Sequence, residues 1–201
     1  VLQLFFDEFI HRINPEITGV LFIHSQNPWG MNHWERTNPN NVDLNRNFIS
    51  GEFQSPQMDN PDYPRLKSFL CPERPLGSLI AAKTRFITGL LMTLLQVGTL
   101  RLREATLMGQ NNFPKGIYFT GQAHQEETGL LMDLYQRAFK GYQRIVHIDL
   151  HSGYGPRYQM TVVTSPLDSM DSKEIQKKYT LTRVAGANPN EFYSCLLYTS
   201  D

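Results

Sequence analysis

The sequence predicts an α/β fold with a mixed or parallel sheet, on three observations. Short apolar, β-prone runs recur along the chain, "ITGVLFIHS" at 17–25, "RIVHIDL" at 144–150 and "YQMTVVTS" at 158–165. Stretches with apolar residues at helical spacing lie between them. Loops rich in asparagine, proline or glycine follow the first two runs, and in open α/β sheets the ligand crevice lies beyond the carboxyl ends of the strands.

Taken in order, residues 2–13 carry the i, i+3, i+4 apolar pattern of a helix, and Asn14-Pro15-Glu16 ends it. The run at 17–25 is read as a buried strand, and "QNPWG" after it as a turn. From 30 to 60 the chain is irregular and polar, which suits a working loop better than a linker. "YPRLKSFL" makes one or two helical turns. Residues 76–108 form a long helical region, or two helices broken near Gly89 or Gly98. The apolar part of that region is interrupted by Lys83 and Arg85, so it predicts a buried amphipathic helix short of a membrane span. "NNFPKGIYFTGQ" is a loop and 128–139 a helix. The run at 144–150 is a second buried strand, "HSGYGP" its terminal turn, and a polar helix around 172–179 follows the third run.

The chain has 201 residues, 40% hydrophobic, enough for one core. Nineteen basic residues balance nineteen acidic ones, which gives no electrostatic case for nucleic acid or an anionic membrane as partner. Two cysteines, Cys71 and Cys195, are too few for a disulfide framework and lean toward a reducing, cytoplasmic compartment. The chain opens inside a helical pattern without a recognisable signal peptide, and "SCLLYTSD" has no continuity with "GANPNEF" before it. Both ends read as truncations, giving one partial domain over 1–194 and a non-native tail at 195–201.

Three groups of residues can carry chemistry. His151 stands at a strand end before Ser-Gly, a posture that suits a metal ligand, a general base or a structural cap. "NPNNVDLNRNF" at 38–48 holds five asparagines. Within it Asn45 and Arg46 are adjacent and would diverge on an extended backbone, so acting on one ligand requires a turn between them. Arg46, with Arg36 ten residues earlier, offers planar forks for a carboxylate. The bland alternative is a solvated loop whose asparagines serve only turns. "HQEE" at 124–127 has the i, i+3 spacing of a zinc pair, but acidic residues at a helix start are the preferred account. His24 ends an apolar run and is expected to be packed or hydrogen-bonded; His33 is open.

Together, Asn27-Pro-Trp-Gly30, Arg36, Asp43-Leu-Asn-Arg-Asn-Phe48 and Asp149-Leu-His-Ser-Gly153 resemble the zinc metallocarboxypeptidase family, and most of all an uncharacterised branch described as a domain of unknown function. That branch also carries a "GQ" loop like Gly121-Gln122. The resemblance covers nearly the whole chain and implies a three-layer α/β/α fold with a mixed, mostly parallel sheet. It implies a Zn2+-dependent hydrolase cleaving a peptide or acylated amino acid next to a free carboxylate. In that frame His151 matches the third zinc ligand and Arg36 the oxyanion-steadying arginine. Asn45 and Arg46 match the clamp on the terminal carboxylate, and Asp43 a carboxylate that orients another ligand histidine. The family's H-x-x-E does not precede the N-P-x-G turn, and its late catalytic Glu is not reached, so the fragment is expected to be inactive alone. The alternatives are a deacylase of the succinylglutamate desuccinylase or aspartoacylase type, and a non-catalytic carboxylate-binding module.

Overall fold

A computed structural model of the chain describes residues 2–49, 60–73, 75, 77–150, 158–164 and 170–186. The chain separates into two compact units, Val1–Gln143 and Arg144–Asp201.

The first unit opens with α1 (Leu2–Glu8) and a single 3-10 turn at Ile10–Arg12, as the apolar spacing requires. Asn14 then reverses the chain, its side-chain oxygen accepting from Glu16 N at 3.0 Å and its carbonyl from Thr18 N at 3.0 Å. The expected strand at 17–25 does not form. Phe22 instead lodges against α1, its ring centroid 5.1 Å from Phe5 and 4.8 Å from Phe6. β-propensity describes how a side chain fits a pleated surface, and among the described residues no neighbouring strand provides one. His24 is exposed rather than packed.

"QNPWG", expected as a turn, starts α2 (Pro28–His33), with Pro28 in the first helical position. A second 3-10 turn covers Leu44–Arg46. Helix α3 (Tyr63–Leu70) occupies the predicted residues and packs on α4 (Leu79–Met108). Asn60 joins the two helices. Its amide donates to the carbonyls of Ala105 and Gly109 at 2.7 Å each, at the end of α4, while its oxygen accepts from Tyr63 N at 3.2 Å. The break in α4 falls at Gly98, at φ 80° and ψ 165°, a conformation open to glycine.

The expected burial of α4 is not found. Phe86 stacks on Phe69 of α3 and Thr93 is buried, but Leu79, Ile80, Leu91 and Leu95 are exposed. Leu79–Thr99 is also long and apolar enough to cross a membrane by length and composition, contrary to the sequence expectation, with 11% of it buried. Two turns of α3 are too short to cover more than one side of so long a helix. Helix α5 (Glu126–Phe139) follows the 109–125 loop, near the predicted bounds.

The second unit contains a small βαβ unit. Strand β1 (Val162–Thr164) pairs in parallel with β2 (Val184–Gly186), register Val162 to Val184, and α6 (Ser172–Lys178) makes the crossover. A capping box fixes the start of α6: Asp171 accepts from Glu174 N at 2.8 Å and Glu174 accepts from Asp171 N at 3.0 Å. The predicted strand at 144–150 is not one among the described residues; Ile145, Val146, Ile148 and Leu150 are exposed along it.

Candidate functional site: an arginine pair on a buried carboxylate

The asparagine-rich segment is a folded structure, and it begins at Asn27. The side-chain oxygen of Asn27 caps α2 by accepting from Gly30 N at 2.9 Å, and its amide donates to the carbonyl of Arg36 at 3.2 Å. Gly30 has no room for a side chain, since a Cβ there would sit 2.5 Å from the Glu35 carbonyl and against the Asn27 amide. Trp34 in the left-handed region, φ 59°, then turns the chain back. N-P-x-G is thus a device that delivers Arg36.

Four of the five asparagines that follow hold the loop in shape. Asn38, buried, accepts from the backbone of Asn40 and Val42 at 3.1 and 3.0 Å and donates to Gln125 and Glu127. Asn40 also donates to Gln125, at 2.8 Å. Asn41, at φ 58°, donates to the carbonyls of Pro114 and Gly116. Asn47 is the centre of this network. It has no exposed surface, donates to the carbonyls of Thr120 and Ala123 at 2.8 and 2.9 Å, and accepts from Gln125 N and Thr128 Oγ1 at 2.8 and 2.6 Å. Asn45 is the exception, with an exposed side chain.

The turn that Asn45 and Arg46 need is present. The 3-10 geometry of Leu44–Arg46 sets neighbouring side chains roughly 120° apart instead of the near-opposition of a strand. Buried Val42 and Leu44 pack with Phe119 under the segment, and Asp43 N donates to the Phe119 carbonyl at 2.8 Å.

Asp43, almost wholly buried, is where the arginines meet. One oxygen, Oδ2, accepts from Arg36 Nε at 2.9 Å and from Arg46 Nη1. Among the described residues its ion-pair partners are therefore guanidiniums, whereas the family resemblance implies a ligand histidine for it. Among the described residues, two guanidiniums meet one carboxylate at the cluster. An arginine carries five N–H donors, so the Nε bond to Asp43 does not exhaust the exposed Arg36 side chain. The Arg36 side chain is 55% exposed and that of Arg46 17%, so the cluster meets solvent on the Arg36 side.

Two residues outside the predicted set shape this cluster. Tyr118 lies beneath both arginines, its ring centroid 5.7 Å from Arg36 Cζ and 5.0 Å from Arg46 Cζ. Gly109, at φ 80°, leaves the space that the Arg46 side chain fills; a Cβ there would stand 2.5 Å from Arg46 Cδ. Nothing local in the sequence signals either one.

The two ends of "HQEE" have separate partners. His124 precedes α5 and its Nε2 meets the Ile49 carbonyl at 2.9 Å, while Glu127 receives Asn38; Glu126 and Glu127 occupy the first helical turn, as expected for the macrodipole. His33 stacks on Trp29 and bonds its carbonyl at 2.8 Å. His151 lies outside the described residues. Near the cluster, Tyr63 donates to the Ile117 carbonyl at 2.9 Å, and burial, with Cys71 beside it, pushes the Tyr63 phenol well above its ordinary range.

A family model described as "Protein of unknown function (DUF2817)" matches residues 1–192. The chain belongs to that family, the domain-of-unknown-function class the motifs pointed to. No curated protein and no solved structure matches it.

Proposed function

We propose that the Arg36, Asp43 and Arg46 cluster recognises a free carboxylate, and that the protein is a zinc metallocarboxypeptidase-like hydrolase that cleaves a peptide or amide bond beside it. One observation carries the carboxylate part: two guanidiniums drawn onto a single buried acid, with the Arg36 side open to solvent. Asp43 offsets the repulsion between the arginines and fixes their directions, so a ligand carboxylate meets donors already in place. Exposed Asn45, one residue along the same turn, adds a neutral donor.

The hydrolase part rests on the resemblance of N-P-W-G, Arg36, D-L-N-R-N-F and D-L-H-S-G to the carboxypeptidase motifs. With it come the three-layer α/β/α fold and the zinc ion, which would supply a nucleophilic water near neutral pH. His151 would be one ligand. Among the described residues no group of three His, Cys, Asp or Glu gathers as a metal site; the part of Arg36, Asn45 and Arg46 in this reading is to bind and orient the carboxylate.

Titration calorimetry with N-acetylglycine and N-acetylglycinamide tests the site. The acid should bind and the amide should not, and Arg46→Ala should weaken the acid roughly ten- to hundredfold, the worth of a charged hydrogen bond. Equal binding of the two probes would refute the carboxylate site. For the metal, zinc titration of the protein should show a site that His151→Ala weakens.

A further inference from the structure

We infer that Tyr118 is a positioning residue of the carboxylate site, holding the guanidiniums of Arg36 and Arg46 in parallel reach of one ligand; this rests on the carboxylate reading above. Three observations meet at this residue. Its ring lies within cation–π distance of both arginines, which no other described ring does. Its backbone sits at φ 58°, a left-handed conformation that a bulky residue adopts at a cost. And the segment around it is held on every side.

That last point explains how the strained backbone persists. Gln110 N donates to the Tyr118 carbonyl at 3.0 Å and Thr120 N to the Gln110 carbonyl at 2.9 Å. Asp43 N donates to the Phe119 carbonyl, and Tyr63 Oη donates to that of Ile117. Ile117 N lies 3.2 Å from Cys71 Sγ. The surroundings thus over-determine residues 117–120, and the left-handed turn aims the half-buried Tyr118 ring at the arginines. The face of the ring is the negative end of its quadrupole, so it attracts both cations without taking up a hydrogen-bond donor. Asp43 fixes the arginines by one acid oxygen; Tyr118 fixes the planes of their forks. A carboxylate ligand then meets donors whose orientation is set before it arrives.

The test uses the full chain and the same two probes, with Tyr118→Phe, Tyr118→Leu and Tyr118→Gly. Phe keeps the ring and should bind N-acetylglycine within about twofold of the parent protein. Leu and Gly should weaken it roughly fivefold to thirtyfold, the range of a desolvated cation–π contact, with no change toward the amide. Gly also relieves the strained backbone, so its thermal midpoint should equal or exceed that of Leu, which separates ring from fold. Equal binding of acid and amide by the parent protein overturns the carboxylate site and this role with it. Acid binding that stays within about twofold of the parent in Tyr118→Leu and Tyr118→Gly, while Arg46→Ala weakens it, overturns the role of Tyr118 alone.

Discussion

The segment 36–49 and helix α4 invert the usual rule of burial. In the first, polar residues are buried: Asn38, Asp43 and Asn47 each expose 2% or less. In the second, apolar residues face solvent, with Leu95 82% and Ile80 79% exposed. The difference lies in what each needs to be complete. A buried asparagine is stable once its donors and acceptors are met, and residues 114–128 meet them within the same unit. An apolar helix face gains nothing until a second surface covers it, and α3 covers only one side. The candidate site is therefore carried by a hydrogen-bonded polar network.

The largest test of that contrast is Asn47→Ala. It leaves two carbonyls, one N–H and one hydroxyl without their partner, so about 2 to 4 kcal/mol should be lost in urea unfolding. A loss under about 1 kcal/mol would mean that the network is not what holds the loop. Gly30→Ala comes next, at about 1 to 3 kcal/mol, because the Glu35 carbonyl and the capping Asn27 amide both oppose the new Cβ; an unchanged melting temperature would contradict the crowding there.

Tyr63→Phe should cost about 1 kcal/mol through the lost bond to Ile117. Its pH dependence has a definite sign. The folded phenol is held neutral, with its pKa above the unfolded value, so its contribution is complete below pH of about 10 and fades as pH rises beyond it. The gap between parent and Tyr63→Phe should accordingly be flat at neutral pH and narrow in alkali; a gap that widens there has the wrong sign. The smallest effect is expected for Leu95→Ser on α4, within about 0.5 kcal/mol. A loss of several times that would show the exposed face to be covered in solution.

Local patterns were legible to the extent that their causes are local. Helix α3 fell on its predicted residues, and α6 within one residue of its predicted end. The break in α4 is at one of two glycines the sequence singles out, whereas Arg36, Asp43 and Arg46 stand out in the sequence for three separate roles and only the structure joins them. The apolar runs at 17–25 and 144–150 predict strands and form none among the described residues, because β-propensity specifies a surface to pair with and says nothing about whether a partner is beside it.

The sequence by itself determined the asparagine-rich polar segment and helices α3, α5 and α6 to within a few residues, since a turn or an apolar spacing is settled by residues within a few positions of one another; it did not tell the cap at Asn27 from a turn. Only the tertiary structure decided that Asp43 gathers both arginines, that Tyr118 and Gly109 frame them, and that Asn47 anchors the loop. The partners of Asn47 lie 73 to 81 residues away along the chain. At that separation no periodicity or spacing records a contact; it exists only once the chain has closed the loop between them.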